Sequence, residues 1–361
     1  MSTRVYALPV EQTRWHLPSG GETVFTWEYD ESREKLLNLY EKGKKRQWNA
    51  QERIDWTHVP DPDNPLGGPD EYVPIYGSQT WDRMDDRARA QLRRHMVAWQ
   101  FSQFLHGEQG ALICTAKIVQ TVPDLDSKFY AGTQVMDEAR HVETYSKYLQ
   151  DKIQLAYPIN RNLEALLNDT IADSRWDFTY LGMQILIEGL ALAAFGLIRD
   201  LTTDPLARAV VAYVMEDEAR HVAFGRLALR DYYPQITQKE RDEREEFTVQ
   251  ACYLMRDRFL AEEVWQNLGL DVEDCLRYVR DSESQMMFRQ LLFTRIVPTL
   301  KDIGLWGPKI QAAFVDMGVM DYSRVDVEAL MADDESKARE IDALQQRAGE
   351  VEETIEAGSA A

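Results

Sequence analysis

From Trp81 onward the spacing of apolar and polar positions predicts an almost continuous run of helices, and no stretch reads as a strand with comparable strength. The helices fall near 84–120, 125–153, 161–172, 175–201, 204–232, 238–266, 272–297 and 325–350, and the first is expected to break or bend near 95–100. Asp204 followed by Pro205 reads as an N-cap with proline at the first helical position, and that helix should stop before Tyr233-Pro234. Ahead of these lies an irregular lead-in with one amphipathic helix, about 32–46, where Leu36, Leu37 and Tyr40 alternate with charges such as Glu34 and Lys42. The stretch Pro60 to Pro69 is rich in proline and glycine and cannot be helical. The pattern predicts an all-α protein in four parts: a lead-in at 1–83, a four-helix bundle at 84–232, C-terminal helices packed on it at 233–350, and a flexible tail at 351–361.

One helix breaks the usual amphipathic pattern. Residues 178–201 are nearly free of charge and long enough to suggest a membrane span, yet Glu188 sits at their centre among Ile185, Leu186, Ile187, Leu190, Ala191 and Leu192. An unpaired carboxylate buried in such a helix costs several kcal/mol. A fully buried bundle helix that hands Glu188 a cation is the better reading.

The cation has further ligands in a repeat. Asp137-Glu138-Ala139-Arg140-His141-Val142 returns as Asp217-Glu218-Ala219-Arg220-His221-Val222, 80 residues later. Glu108 precedes the first copy by 30 residues, and Glu188 precedes the second by the same 30. In Glu-x-x-His the two side chains share one helix face a turn apart, so one helix offers an oxygen and a nitrogen to the same metal. The 30-residue gap fits an antiparallel hairpin, with turns at Thr121-Val122-Pro123-Asp124 and Thr202-Thr203-Asp204-Pro205. Four carboxylates and two imidazoles on four helices are the ligand set of a di-iron or di-manganese centre. Asp137 and Asp217 are placed to accept the second N–H of a metal-bound imidazole and fix its orientation. Arg140 and Arg220 point roughly away from the metals and are expected to anchor outer carboxylates. His16, His58, His95 and His106 lie at no duplicated position and are read as structural or exposed.

Composition narrows the partners. A net charge of −20 argues against a nucleic-acid or anionic-membrane surface. Cys114, Cys252 and Cys275 form no zinc or iron–sulfur spacing and suit a reducing cytoplasm, and residues 1–14 lack the apolar run of a signal peptide.

The twice-repeated Asp-Glu-Ala-Arg-His, each copy with a glutamate about 30 residues before it, resembles the ferritin-like non-haem di-iron oxygenases. The nearest pattern is similar to the hydroxylase components of bacterial multicomponent monooxygenases. The resemblance covers about 100–230 and implies a ferritin-like bundle of duplicated helical hairpins with flanking helices. It also implies that Glu108, Glu138 and His141 bind one iron, and Glu188, Glu218 and His221 the other, with O2 as co-substrate and manganese an alternative metal. The activity it implies is hydroxylation or desaturation of a small hydrophobic or aromatic molecule, with electrons from a ferredoxin and reductase. A homodimer or larger oligomer is expected. Pocket candidates one turn from the ligands are Ala111, Leu112, Tyr145, Gln184, Leu192 and Phe195. Leu192 stands where those hydroxylases carry a threonine, and Val214 stands where arylamine N-oxygenases carry a third histidine, which argues against the latter. Tyr145 has the spacing of the radical tyrosine in ribonucleotide reductase small subunits. A radical oxidase of that kind, iron or peroxide handling as in ferritins and rubrerythrins, and a non-catalytic companion subunit are the alternatives.

Overall fold

Six helices arrange the centre of the protein, as seen in a computed structural model that describes residues 5–8, 20–26, 29, 33–334, 336–337 and 339–340. They are α1 (Glu34–Lys45), α2 (Asp86–Thr121), α3 (Leu125–Lys147), α4 (Arg161–Ala172), α5 (Trp176–Leu201) and α6 (Pro205–Tyr232). The pairs α2/α3 and α5/α6 are the two hairpins of an all-α bundle. Each hairpin turns on an aspartate that caps the returning helix: the Asp124 carboxylate accepts the Ser127 N–H at 2.8 Å, and Asp204 accepts that of Ala207 at 2.7 Å. Pro205 follows its cap at the first helical position. No strand occurs among the described residues, only an isolated parallel bridge between Tyr6 and Ala156.

Helix α5 is long and apolar enough to cross a membrane, but 83% of its most apolar window is buried inside the protein. Its hydrophobicity is spent on the bundle core. Leu181–Ile187 within it is π-helical, a widened turn that ends where Glu188 begins.

The structure departs from the expected helices in three places. Helix α2 runs from Asp86 to Thr121 without interruption, so no break occurs near 95–100. The expected 238–266 helix is two, α7 (Gln238–Arg258) and Glu262–Asn267, divided where Ala261 takes a left-handed conformation at φ 50°. The 272–297 segment divides as well: Val272–Asp281 gives way at Ser282 to Glu283–Leu291 and then Ile296–Asp302. Of the expected helix at 325–350, 327–334 is helical, while 341–350 and the tail at 351–361 lie outside the described residues.

The lead-in is built into the bundle. Leu36, Ile54, Ile75 and Trp81 are buried in the core, and α1 packs across α3 and α6. The Leu66 carbonyl accepts hydrogen bonds from the Thr203 and Asp204 N–H groups at 3.0 and 3.3 Å and from the Thr202 hydroxyl at 2.6 Å. Gly67 has φ +62°, and a Cβ there would overlap the Thr203 hydroxyl, so the approach to this turn requires glycine.

Candidate metal centre

Glu108 comes from α2, Glu138 and His141 from α3, Glu188 from α5, and Glu218 and His221 from α6. All six side chains are at least nine-tenths buried. His141 Nδ1 lies 3.2 Å from a Glu108 oxygen, 3.2 Å from Glu218 and 3.5 Å from Glu138. His221 Nδ1 lies 3.1 Å from Glu138 and 3.5 Å from Glu218. Two groups result whose ligand atoms lie within 4.8 Å of one another: Glu108, Glu138, His141 and Glu218, and Glu138, Glu188 and His221. Glu138 enters both groups, so the two groups share a ligand across the hairpins. Glu138 and Glu218 face both imidazoles, while Glu108 and Glu188 each belong to one group.

The electrostatics of this cluster call for cations. Burial pushes the Glu108 and Glu188 carboxyls well above the usual range, and the neighbouring Glu218 adds to both rises. Burial opposes ionisation of Glu138 too, but His221 and His141 hold it below the usual range. The imidazoles are raised well above their ordinary pKa despite burial, His141 first by Glu108 and His221 first by Glu138. Glu138 Oε2, Glu188 Oε2, both Glu218 oxygens and His221 Nδ1 are buried without a hydrogen-bond partner. Buried donors and acceptors are rarely left in that state. Carboxylate oxygens and imidazole nitrogens in this number could hold two divalent first-row ions such as iron or manganese.

The far nitrogen of each imidazole binds across the bundle. His141 Nε2–H donates to Asp217 Oδ2 at 3.1 Å, and His221 Nε2–H to Asp137 Oδ2 at 3.3 Å. These bonds leave Nδ1 of each ring facing the carboxylates, where its lone pair would be offered to a metal once its proton is displaced. Arg140 reaches Asp137 at 2.5 Å and Asp217 at 2.8 Å, and Arg220 pairs with Asp217. Burial works against a charged Asp217, but Arg220, His141 and Arg140 together hold its carboxyl below the usual range. The arginines are themselves buried, not turned out to solvent.

Several residues at this centre carry no sequence signal. Trp48 Nε1–H donates to Asp217 Oδ2 at 2.9 Å, Gln47 donates to Asp137 Oδ1 at 2.8 Å and accepts from Arg140 at 2.7 Å, and Arg46 pairs with Glu216 at 2.9 Å. The segment just after α1 thus closes the aspartate–arginine layer. Gln134, one turn before Glu138, donates to Glu138 at 2.9 Å and to Glu188 at 3.0 Å, linking the hairpins.

On the other side of the carboxylates a cavity of about 20 Å³, room for roughly one water, borders Glu108, Glu188 and Glu218. Its lining repeats the 80-residue register in Gln103/Met183, Gly107/Ile187 and Ala111/Ala191, and Phe104, Phe195 and Arg258 complete it. Of the pocket candidates, Ala111 and Phe195 line this cavity. Tyr145 lies behind it against Phe104 and Phe195, its hydroxyl unpartnered. Leu112, Gln184 and Leu192 do not line it. Leu112 is partly exposed, and the cavity follows the third residue after each lone glutamate, not the fourth. The π-helical turn rotates Gln184 away, against Gly225 of α6, where a Cβ would come within 2.5 Å of it. The outlying histidines keep away from the centre: His58 pairs with Asp204, His95 with Tyr157, and His106 with the Tyr157 carbonyl, while His16 lies outside the described residues.

The family model described as p-aminobenzoate N-oxygenase AurF matches residues 29–304. No curated protein matches the chain. Among solved structures, a variant of an R2-like ligand-binding oxidase with an anaerobically reconstituted Mn/Fe cofactor is similar at 17% identity and a TM-score of 0.46, over 77% of this chain and 96% of that one. A second variant of that oxidase gives 17%, 0.47, 78% and 96%. The family match corrects two expectations. It falls on N-oxygenases, not on multicomponent hydroxylases, and it does so although Val214 argues against them. Val214 is fully buried, and both ligand groups close without a side chain from that position, so a missing histidine there does not dissolve the cluster.

Proposed function

This chain belongs to the p-aminobenzoate N-oxygenase AurF family, and from that premise we propose how it works as a di-iron oxygenase of the ferritin-like superfamily. Glu108, Glu138, His141, Glu188, Glu218 and His221 would hold the two metal ions. When bound, the metal pair supplies reductive activation of O2. The substrate is a small hydrophobic or aromatic molecule, and the family points to its amine nitrogen as the atom oxidised. An amine, O2, two electrons and two protons then give a hydroxylamine and water. A reduced ferredoxin or similar one-electron carrier supplies the electrons, and the setting is cytoplasmic.

The protein's own part is positional. Asp217 and Asp137 fix the tautomer of His141 and His221, so each Nδ1 points inward as a neutral donor. Arg140 pairs with both aspartates and Arg220 with Asp217, whose carboxyl they help hold below the usual range, and Gln134 holds Glu138 and Glu188 at a set spacing. Phe104, Met183, Ile187 and Phe195 exclude water from the open side of the carboxylates. The observation that carries this reading is the group of buried, unpartnered carboxylate oxygens from three helices around two imidazoles. Anaerobic loading with ferrous iron followed by metal analysis should find two ions per chain. Exposure of that protein to O2 with a reductant and 4-aminobenzoate should yield the hydroxylamine or a more oxidised nitrogen product. A chain that binds no metal pair would sink the proposal.

A further inference from the structure

We propose that the basic surface of residues 42–53 docks a small acidic electron-carrier protein, and that the electron enters the chain at Trp48. This rests on the oxygenase reading above and names the face at which its electrons arrive.

The chain as a whole is acidic, with 61 aspartates and glutamates against 41 lysines and arginines. Between 42 and 53 the balance reverses: Lys42, Lys44, Lys45, Arg46 and Arg53 stand against Glu52 alone. Lys42, Lys44, Lys45 and Arg53 are exposed, and Arg46 is half-buried. The acids beside them are engaged. Glu41 pairs with Lys44 at 2.6 Å and Glu216 with Arg46 at 2.9 Å, while Glu52 accepts from Asn49 at 2.9 Å and Glu143 from Gln51 at 2.6 Å. Helix dipoles favour cations at the C-terminal turns of α1 and of Ala50–Arg53. A basic cluster on so acidic a protein attracts an acidic partner whatever it also does for those helices.

Trp48 ties this surface to the metal ligands. Its half-buried ring packs on Tyr213, with centroids 5.2 Å apart, and the Arg140 guanidinium lies over it at 4.8 Å. Arg53 lies over the Tyr213 ring in turn, at 4.9 Å. The Trp48 Nε1–H donates to Asp217 Oδ2 at 2.9 Å, and that same oxygen accepts from His141 Nε2–H at 3.1 Å. Two hydrogen bonds therefore join an indole at the surface to a ligand imidazole. Electrons tunnel most readily along short paths of covalent and hydrogen bonds, and a conjugated ring at the outer end receives them. The corresponding bond from His221 reaches Asp137, whose neutral donor is the Gln47 amide, so the aromatic outlet belongs to the His141 side.

The neighbouring edge of α3 is apolar. Helix α1 crosses it with Gly43 against Thr133 and the Tyr40 ring stacked on Phe129 at 5.6 Å. Beside that crossing Met136 is 59% exposed and Phe129 41%. A few exposed apolar groups flanked by lysines make a small, loosely held interface, as suits electron-transfer partners that must part after each encounter. The occupant that fits is a small iron–sulfur or flavin protein with an acidic face. Two proteins that are acidic overall repel each other elsewhere, which confines docking to this face. At each docking one electron leaves the carrier and one arrives at the metal pair. Two dockings then supply the two electrons that the amine oxidation consumes with O2 and two protons.

The probe is an acidic two-iron ferredoxin of the plant type, titrated calorimetrically into the metal-loaded protein without O2. It should bind at low salt, and its affinity should fall steadily as salt is added. Lys42→Gln, Lys44→Gln, Lys45→Gln and Arg53→Gln combined should weaken binding about tenfold or more. The melting temperature should hardly move, because exposed charges contribute little to stability. Trp48→Phe keeps the ring and every charge but removes the Nε1–H, so it should bind the carrier equally well and take its electron several-fold more slowly in stopped flow. No binding by the unaltered protein, indifference to salt, or full affinity in the combined variant overturns the docking surface. Capture by phosphatidylserine vesicles in place of ferredoxin overturns it as well. Full-rate transfer to Trp48→Phe overturns the entry point. Metal counted in the same samples keeps the two failures apart: two ions without charge-dependent docking remove this proposal alone, and absent metal removes the oxygenase reading while the titration still tests the surface.

Discussion

The two hairpins carry the same ligand motif in unlike helices. Glu108 sits in α2, which is continuous from Asp86 to Thr121 and has many polar positions. Glu188 sits in α5, which is almost wholly apolar and is widened by a π-helical turn immediately before the ligand. The surroundings differ in the same sense. Glu108 shares a hydrogen bond with the His141 imidazole, while Glu188 accepts one from the neutral Gln134 amide and pairs with no imidazole among the described residues. The outer layer repeats the asymmetry, with Gln47 on Asp137 and Trp48 on Asp217. Duplication thus preserved the donors and let their settings diverge, leaving one ligand of each pair better supported than its twin.

The largest effect expected is on metal content. Glu138 belongs to both ligand groups, whereas Glu108 and Glu188 each belong to one. Glu138→Ala should leave almost no bound metal, and Glu188→Ala should leave about one ion per chain, since the other group keeps its full set of donors. Loss of both ions in Glu188→Ala, measured by metal analysis, would show the two groups to be a single indivisible site.

Next comes the anchoring of the two lone-glutamate helices. Helix α5 is pinned by Asp177, which receives Arg244 Nε and Nη2 at 2.8 and 3.0 Å with both side chains buried. Helix α2 is tied by Lys117, whose ammonium donates to the Ile171 carbonyl at 2.7 Å. Asp177→Ala leaves a buried guanidinium alone and should cost about 3–5 kcal/mol. Lys117→Met leaves only neutral carbonyls unpaired and should cost about 1–3 kcal/mol. Urea denaturation of both variants orders them, and the reverse order would refute the view that the second hairpin is the more tightly fastened.

A smaller difference should separate the two aspartates. Each aspartate faces two arginines, one imidazole and one neutral donor, but Arg220 bonds Asp217 directly and lies 3.9 Å from Asp137, so Asp217→Asn strips the closer set of charges. Loss of metal affinity should be about 10-fold to 100-fold, with Asp217→Asn at the upper end. Competition with a chelator measures both.

These contrasts also mark how far the chain can be read unaided. The six candidate ligands were legible because a fixed offset of 80 residues ties three unrelated positions together, which chance does not do. The hairpin turns were legible from Asp124 and Asp204, since capping is local chemistry. Gln47, Trp48 and Gln134 were not, because a polar residue that becomes important only through distant packing has no local pattern to announce it. Leu112, Gln184 and Leu192 misled for a geometric reason: a uniform 3.6-residue turn was assumed, and neither the π-helical turn nor the exact side on which the cavity opens is written in apolar residues. The valine at 214 misled because one ligand position was made to stand for a whole family.

The smallest effect is a pH dependence set at a position where the two units differ. His95 of α2 corresponds in the 80-residue register to Arg175, an exposed residue that forks onto Asp173. His95 is partly buried, with Nδ1 2.7 Å from the Tyr157 hydroxyl and 3.2 Å from the Asn267 amide nitrogen. Burial lowers its pKa below the ordinary 6.5, and the charge of Arg94 lowers it further. The folded protein therefore binds this proton less readily than the unfolded chain does. The linkage is absent above about pH 6.5, where both states are neutral at this site. Below that the unfolded chain takes up the proton first, and stability falls until the folded-state pKa is passed. In His95→Gln this share of the acid loss should disappear, so the urea midpoint of the variant should fall less than that of the unaltered protein between about pH 7.5 and 5.5. Parallel slopes in the two proteins would mean that His95 titrates alike in both states and that its burial is without electrostatic consequence.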